Sequence, residues 1–201
     1  MSNVCDGMER TLALIKTDGV QRGLVGEIMG RFERSGLKMV GLKMLKPTRN
    51  LVEKNYPDTK EWYEKVGGRS ISTFKEMGVD IRAKFGSDDA EKIGRQIKEW
   101  IIRFMTSGKV VAMVLEGNKA VDNVRRLVGE TNPMKATPGS IRSDFSIDDV
   151  QLGNATNRPI VNVVHASGSV GEAKSEISNW FTDNELFDYK MGNEDVFYKV
   201  W

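Results

Sequence analysis

The sequence predicts an α+β domain, four antiparallel strands covered by helices in a βαββαβ order, the ferredoxin-like arrangement. Two observations carry this. The chain alternates short β-branched runs with stretches of helical apolar spacing, in the order strand, helix, strand, helices, strand, helix, loop, strand, helix. Its 201 residues suffice for one sizeable core, and no repeat, low-complexity block or linker divides them, so residues 1–201 read as a single domain.

The elements follow in order. Met1–Met8 reads as a loose leader. Thr11–Ile15 (TLALI) is a compact apolar strand, ended by Lys16-Thr17-Asp18-Gly19. Leu24, Ile28 and Phe32 recur at i, i+4 and i+8, which predicts a helix over Arg22–Arg34 with Gly36 as its stop. Leu37–Leu45 is the second strand, closed by Pro47, and helical pieces follow around Leu51–Tyr56. Lys60–Gly86 is polar and carries Gly67, Gly68 and Gly78, so it reads as one or two short helices in an excursion from the main fold. Ser87-Asp88-Asp89 opens a helix whose stripe is Ile93, Ile97, Trp100, Ile101 and Phe104, and Gly108 ends it.

Val110–Leu115 (VVAMVL) is the most strand-like run. Val121, Val124 and Val128 support another helix, stopped at Gly129. Gly129–Gln151, with Pro133, Pro138 and Gly139, reads as a long ordered loop of the kind that carries function. Ile160, Val161, Val163 and Val164 form the last strand, and Val170, Ala173, Ile177, Trp180 and Phe181 the last amphipathic helix. Ser169 and Glu172 make a capping-box pattern at its start. The tail Glu185–Trp201 holds Phe187, Tyr189, Phe197, Tyr198 and Trp201, an aromatic content that predicts packing on the domain or on a neighbouring subunit.

Composition limits the function classes. A formal net charge of +2 does not indicate a general nucleic-acid or membrane-surface binder. One cysteine, Cys5, forms no intramolecular disulfide, and one cysteine with one histidine makes no metal cluster, although a hard cation held by carboxylates and phosphates stays open. The N-terminal stretch lacks a signal-peptide core and no run is long enough to span a bilayer, so a reduced, cytoplasmic protein is expected.

The only histidine, His165, falls where the last strand meets the small residues Ala166–Ser169 and the start of a helix. A helix N-terminus favours anions, phosphate above all, and a largely neutral imidazole is a nucleophile near pH 7. Lys16 after the first strand, Arg125 before the long loop, Thr131, Asn132 and Arg142 within it, and Asn162 in the histidine strand supply cations, a hydroxyl and an amide around it. Phosphoryl transfer to imidazole needs that set, since its catalysis is mostly positioning and charge neutralisation. Each residue alone reads as an ordinary surface or turn residue, and neither GxxxxGK[ST] nor GxGxxG is present.

Five stretches together go further: ERTLALIKTDGVQRGLVGEIMGRFERSGLKMVGLKML (Glu9–Leu45), SGKVVAMVLEG (Ser107–Gly117), RRLVGETNP (Arg125–Pro133), PGSIRSDF (Pro138–Phe145) and NVVHASGS (Asn162–Ser169). In this order they closely resemble nucleoside diphosphate kinase. The resemblance implies a ping-pong reaction in which a nucleoside triphosphate such as ATP or GTP phosphorylates the histidine and a nucleoside diphosphate collects the phosphoryl group. Carried over by residue, it makes His165 the nucleophile, oriented by Glu176 and supported by Ser167. It places Lys16 and Asn162 at the transferring phosphate or the sugar, Tyr56 near the phosphates, and Arg125, Thr131 and Arg142 on the outer phosphates. It also implies Mg²⁺ riding on the nucleotide, and a homo-oligomer, hexamer or tetramer, built from dimers.

Three departures stand out. Gly168 replaces the family's usual aspartate. Lys60–Gly94 reads as an inserted helical segment, and Ile97 stands where an aromatic against the base is expected, leaving Trp62, Phe74, Phe85, Trp100 or an aliphatic contact to take its place. Ser146–Arg158 is longer than usual. An active kinase of low base specificity is the leading expectation. A nucleotide-binding or scaffolding relative that does not turn over, and a nucleic-acid binder, are the readings set against it.

Overall fold

The structure, a computed structural model, describes residues 8–192 and 194–198; most of the leader, Cys5 and Trp201 lie outside the described residues. Its elements in chain order are β1 (Met8–Ile15), α1 (Thr17–Gln21), α2 (Val25–Arg34), β2 (Lys38–Leu45), α3 (Arg49–Asn55), α4 (Lys60–Glu76), α5 (Ile81–Phe85) and α6 (Ala90–Ser107). There follow β3 (Val110–Asn118), α7 (Ala120–Val128), α8 (Ile141–Phe145), α9 (Val150–Ala155), β4 (Val164–Ala166), α10 (Val170–Trp180) and α11 (Glu194–Tyr198). The sheet has the order β2-β3-β1-β4 with every pairing antiparallel, which is the ferredoxin-like α+β sandwich.

β1 is one of the two central strands of this sheet, and its sequence says why. Leu12 and Leu14 point to one face, where Val52, Ile102, Met105, Trp180 and Phe181 pack around them. Ala13 and Ile15 point to the other, against Ile28, Phe32, Val124, Val128 and Ile141. Successive strand residues alternate between faces, so a strand covered on both sides reads as the unbroken apolar run TLALI.

α4 and α6 form a third, smaller layer. Ile93, Ile97 and Trp100 pack with Val66, Ile71, Ile81 and Phe85. Two glycines let the helices approach: a Cβ on Gly67 would lie 1.9 Å from the Ala90 carbonyl oxygen, and one on Gly94 would lie 2.1 Å from that of Tyr63. Gly67, which looks like a helix breaker in sequence, is a packing residue.

Four local readings change. The helix expected over Arg22–Arg34 begins only at Val25, as α2, because Gly23 takes φ +69° ahead of it, and Thr17–Gln21, read as the end of the first strand, form the short helix α1. The long loop Gly129–Gln151 contains α8 and runs into α9. The last strand covers only Val164–Ala166, because Val163 takes φ +55° and leaves the ladder. At α10 the Ser169 hydroxyl caps the helix by accepting from the Glu172 amide at 3.2 Å, but the Glu172 carboxylate accepts from Gly168 N–H at 2.8 Å instead of closing the box. The tail lies along β2: Phe187 N–H donates to Val40 O at 2.7 Å and Tyr189 hydroxyl to Met39 O at 3.1 Å, which covers the sheet edge.

Candidate active site

His165 lies in β4, opposite Leu14 of β1, at the mouth of a cleft of about 620 Å³. Its Nε2 is 2.8 Å from Glu176 Oε1 on α10. A carboxylate only accepts, so Nε2 carries the ring proton and Nδ1 is left with its lone pair. Glu176 is itself buried and held: Ser167 hydroxyl donates to Oε2 at 2.6 Å, and Leu12 N–H donates to the Ser167 hydroxyl oxygen at 3.3 Å. The Tyr56 ring meets the imidazole edge-on at 5.7 Å between centroids. Burial, and behind it the Glu176 charge, pushes the Tyr56 phenol up, so it stays a neutral donor.

Much of the remaining lining is cationic. Lys16 Nζ donates to Asn162 Oδ1, and Asn162 Nδ2 donates to Thr131 O at 2.6 Å, so β1, the long loop and the histidine segment are tied at one point. The Arg142 guanidinium donates to Gly129 O at 2.8 Å and Val164 O at 2.7 Å, while its Nε is buried without a partner. Burial brings the Lys16 ammonium down to about 8, against the pull of Asp18 and Asp148 and with the push of Arg142. Burial, then repulsion from Arg125, brings Arg142 down to about 10. Desolvated cations crowded around a cleft favour a bound anion, whose charge offsets the burial penalty behind both shifts.

The backbone between Asn162 and Val164 is strained. Val163 is fully buried, and a β-branched residue at φ +55° stores about 1–3 kcal/mol. Three hydrogen bonds hold it: its N–H donates to Asp18 Oδ2 at 2.9 Å, its carbonyl accepts from Lys16 N–H at 2.8 Å, and Val164 N–H closes a turn onto Asn162 O at 2.6 Å. The turn sets Asn162 against Lys16 and lets His165, two residues on, rejoin the sheet.

Lys16, Tyr56, Arg125, Thr131, Arg142, Asn162 and His165 thus line one cleft, and Glu176 and Ser167 stand behind the histidine. Asp18 and Asn55 were missed by the sequence reading; for Asp18 the signal available was its position two residues after Lys16, and for Asn55 there was none. Of the four aromatic candidates for the base, Trp62 lines the cleft, together with Ile97 and Ile101. Phe85 packs between Phe74 and Trp100 at 5.9 and 5.6 Å, and those three rings lie outside the cleft lining. The inserted and the lengthened segments meet: α9 and α4 both line the cleft, and Lys84 after α4 donates to Ala155 O at 2.9 Å. At Gly168 the Glu172 carboxylate fills the space beside the backbone: a Cβ there would lie 2.6 Å from Glu172 Oε2. No group of three or more His, Cys, Asp or Glu side chains among the described residues is placed to hold a metal ion.

Comparison with known proteins gives a consistent result. The family model described as nucleoside diphosphate kinase matches residues 9–66 and 89–186, leaving 67–88 unmatched between its halves. A nucleoside diphosphate kinase of Pyrobaculum aerophilum is 48% identical over 181 residues, covering 90% of this chain and 99% of that protein. One from Archaeoglobus fulgidus is 39% identical over 192 residues, covering 96% and 99%. Among solved structures, an NDP kinase from Pyrobaculum aerophilum superposes with a TM-score of 0.88 at 46% identity, covering 90% of this chain and 100% of that one. A Borrelia burgdorferi nucleoside-diphosphate kinase, described as a transition-state mimic with bound vanadate and ADP, gives 0.76 at 34% identity, covering 94% and 96%.

Proposed function

The chain belongs to the nucleoside diphosphate kinase family and is a phosphotransferase, and we propose that it transfers the γ-phosphoryl group of a nucleoside triphosphate to a nucleoside diphosphate through a phosphohistidine at His165. The observation that carries this is one cleft lined both by an imidazole whose Nε2 is held by Glu176 and by the buried cations Lys16 and Arg142.

In the first half-reaction Nδ1 attacks the γ-phosphorus. The N–P bond forms, the bond from phosphorus to the β,γ-bridging oxygen breaks, and the nucleoside diphosphate leaves with that electron pair. The ring becomes positive as it reacts, and the Glu176 carboxylate on Nε2–H stabilises that charge. Ser167 keeps Glu176 in place. Lys16, Arg125 and Arg142 neutralise the phosphates, Thr131 and Asn162 orient phosphate and sugar, and the Tyr56 hydroxyl donates near the transferring group. The second half-reaction reverses these steps onto a different nucleoside diphosphate.

The cleft lining is mainly cationic, amide and hydroxyl, its carboxylates are Glu130 and Glu172, and no group of three metal-ligating side chains gathers among the described residues, which fits Mg²⁺ arriving on the nucleotide rather than in a protein cage. Such an ion neutralises phosphate charge when bound. The same proposal includes a single domain with Lys60–Gly94 as an inserted segment, assembly as a homo-oligomer (hexamer or tetramer), and a cytoplasmic setting. No helix among the described residues is long and apolar enough to cross a membrane.

The test is labelling with γ-labelled Mg·ATP followed by an alkaline quench. An acid-labile label that chases onto GDP is expected. His165→Ala should carry none, and full transferase activity in that variant would sink the proposal.

A further inference from the structure

The imidazole has a second neighbour. Asn55, the last residue of α3, is buried, and its carboxamide lies between Trp180 at the end of α10 and His165. The Trp180 indole Nε1–H donates to Asn55 Oδ1 at 2.6 Å. An indole N–H is a donor only, so this bond decides which end of the amide is which. Oδ1 faces the indole, and Nδ2 is turned to His165 Nε2 at 3.4 Å.

Nε2 therefore meets an acceptor, Glu176 Oε1 at 2.8 Å, and an N–H₂ group on its other side. The proton on Nε2 has one place to go. An amide free to rotate by half a turn would offer its oxygen, compete with Glu176 and draw the ring toward α3. The indole bond removes that alternative. We propose that Asn55, locked by Trp180, is a positioning residue that keeps the His165 proton on Glu176 and Nδ1 aimed into the cleft. This rests on the phosphohistidine reading above.

Asn55→Asp is the sharp test, because it keeps the volume and the acceptor for Trp180 while turning the face beside Nε2 from donor to acceptor. Phosphoenzyme formation in a single turnover should slow by roughly ten- to a hundredfold, since small misplacements of a reacting atom cost that much. Trp180→Phe, which unlocks the amide, should slow it several-fold. Nucleotide Kd should stay within twofold of the parent in both. With one histidine in the chain, ¹⁵N spectra of the imidazole need no assignment, and the Nε2 resonance should move in both variants. If Asn55 only packs α3 on α10, Asn55→Asp matches the parent in rate and spectrum, and the inference is overturned. A parent protein that forms no phosphoenzyme would instead overturn the proposed function, leaving the spectra to judge the amide.

Discussion

Around the imidazole, His165, Glu176, Ser167, Asn55 and Trp180 form a closed set whose contacts run from 2.6 to 3.4 Å. In the same cleft, Lys16 and Arg142 are buried cations with lowered proton affinity, and Arg142 Nε has no protein partner. The nucleophile side is complete without a ligand. On the cationic side a buried guanidinium nitrogen has no protein partner, and under the proposed function it is the phosphates that this side would engage. The contrast teaches where each side spends its free energy: fixed dipoles around a nucleophile need no reorganisation during reaction, whereas desolvated cations hold their cost until an anion binds.

Three experiments bear on that contrast. Arg142→Ala should have the largest effect, lowering kcat/KM on the order of 10²–10³-fold, much of it through KM, as loss of a charge-stabilising donor does. Steady-state kinetics with ADP and GDP measure it, and an unchanged KM would place Arg142 outside the phosphate site. Glu176→Gln should lower kcat by about 10²-fold with little change in nucleotide Kd, because it removes a charge that acts as the ring becomes positive. A change confined to Kd would erase the distinction between the two sides.

The smallest effect is in pH. Lys16 holds its proton to about 8 in the fold against 10.5 when unperturbed, so the free enzyme loses this charge first as pH rises. Between pH 8 and 9 nucleotide KM should rise a few-fold, and binding near pH 8 should take up a proton, read by calorimetry in buffers of different ionisation heat. The stability of the unliganded protein should move the other way. Above pH 8 the unfolded chain binds more protons than the fold, so the penalty of burying this charge is lifted between about 8 and 10.5. A KM flat across pH 8 would show that Lys16 is not a desolvated cation.

The strands β1 and β3 and the helices α2, α6, α7 and α10 were legible because both of their signals are local, apolar spacing for type and glycine or a hydroxyl for the ends. β4 was legible only in part. The run Ile160–Val164 has the composition of a strand, yet Val163 leaves it for a strained turn held by Asp18, 145 residues away. The helix α4 was hard to read for a related reason: Gly67 weakens it locally and is required by the close approach of α6. At the site, His165, Lys16, Arg125, Thr131, Arg142 and Asn162 could be proposed from residue type and order. Asn55 could not, since its part depends on Trp180 being on one side and His165 on the other.

The sequence by itself determined the fold class, the strand and helix order, and the family, because periodicity and linked motifs are written along the chain. Only the tertiary structure decided that Trp62 rather than Phe74, Phe85 or Trp100 lines the cleft, that α4 and α9 meet there, and that an amide locked by an indole faces the nucleophile. Those facts depend on distances and on which end of a polar group faces which neighbour. Neither quantity exists until the chain has closed on itself.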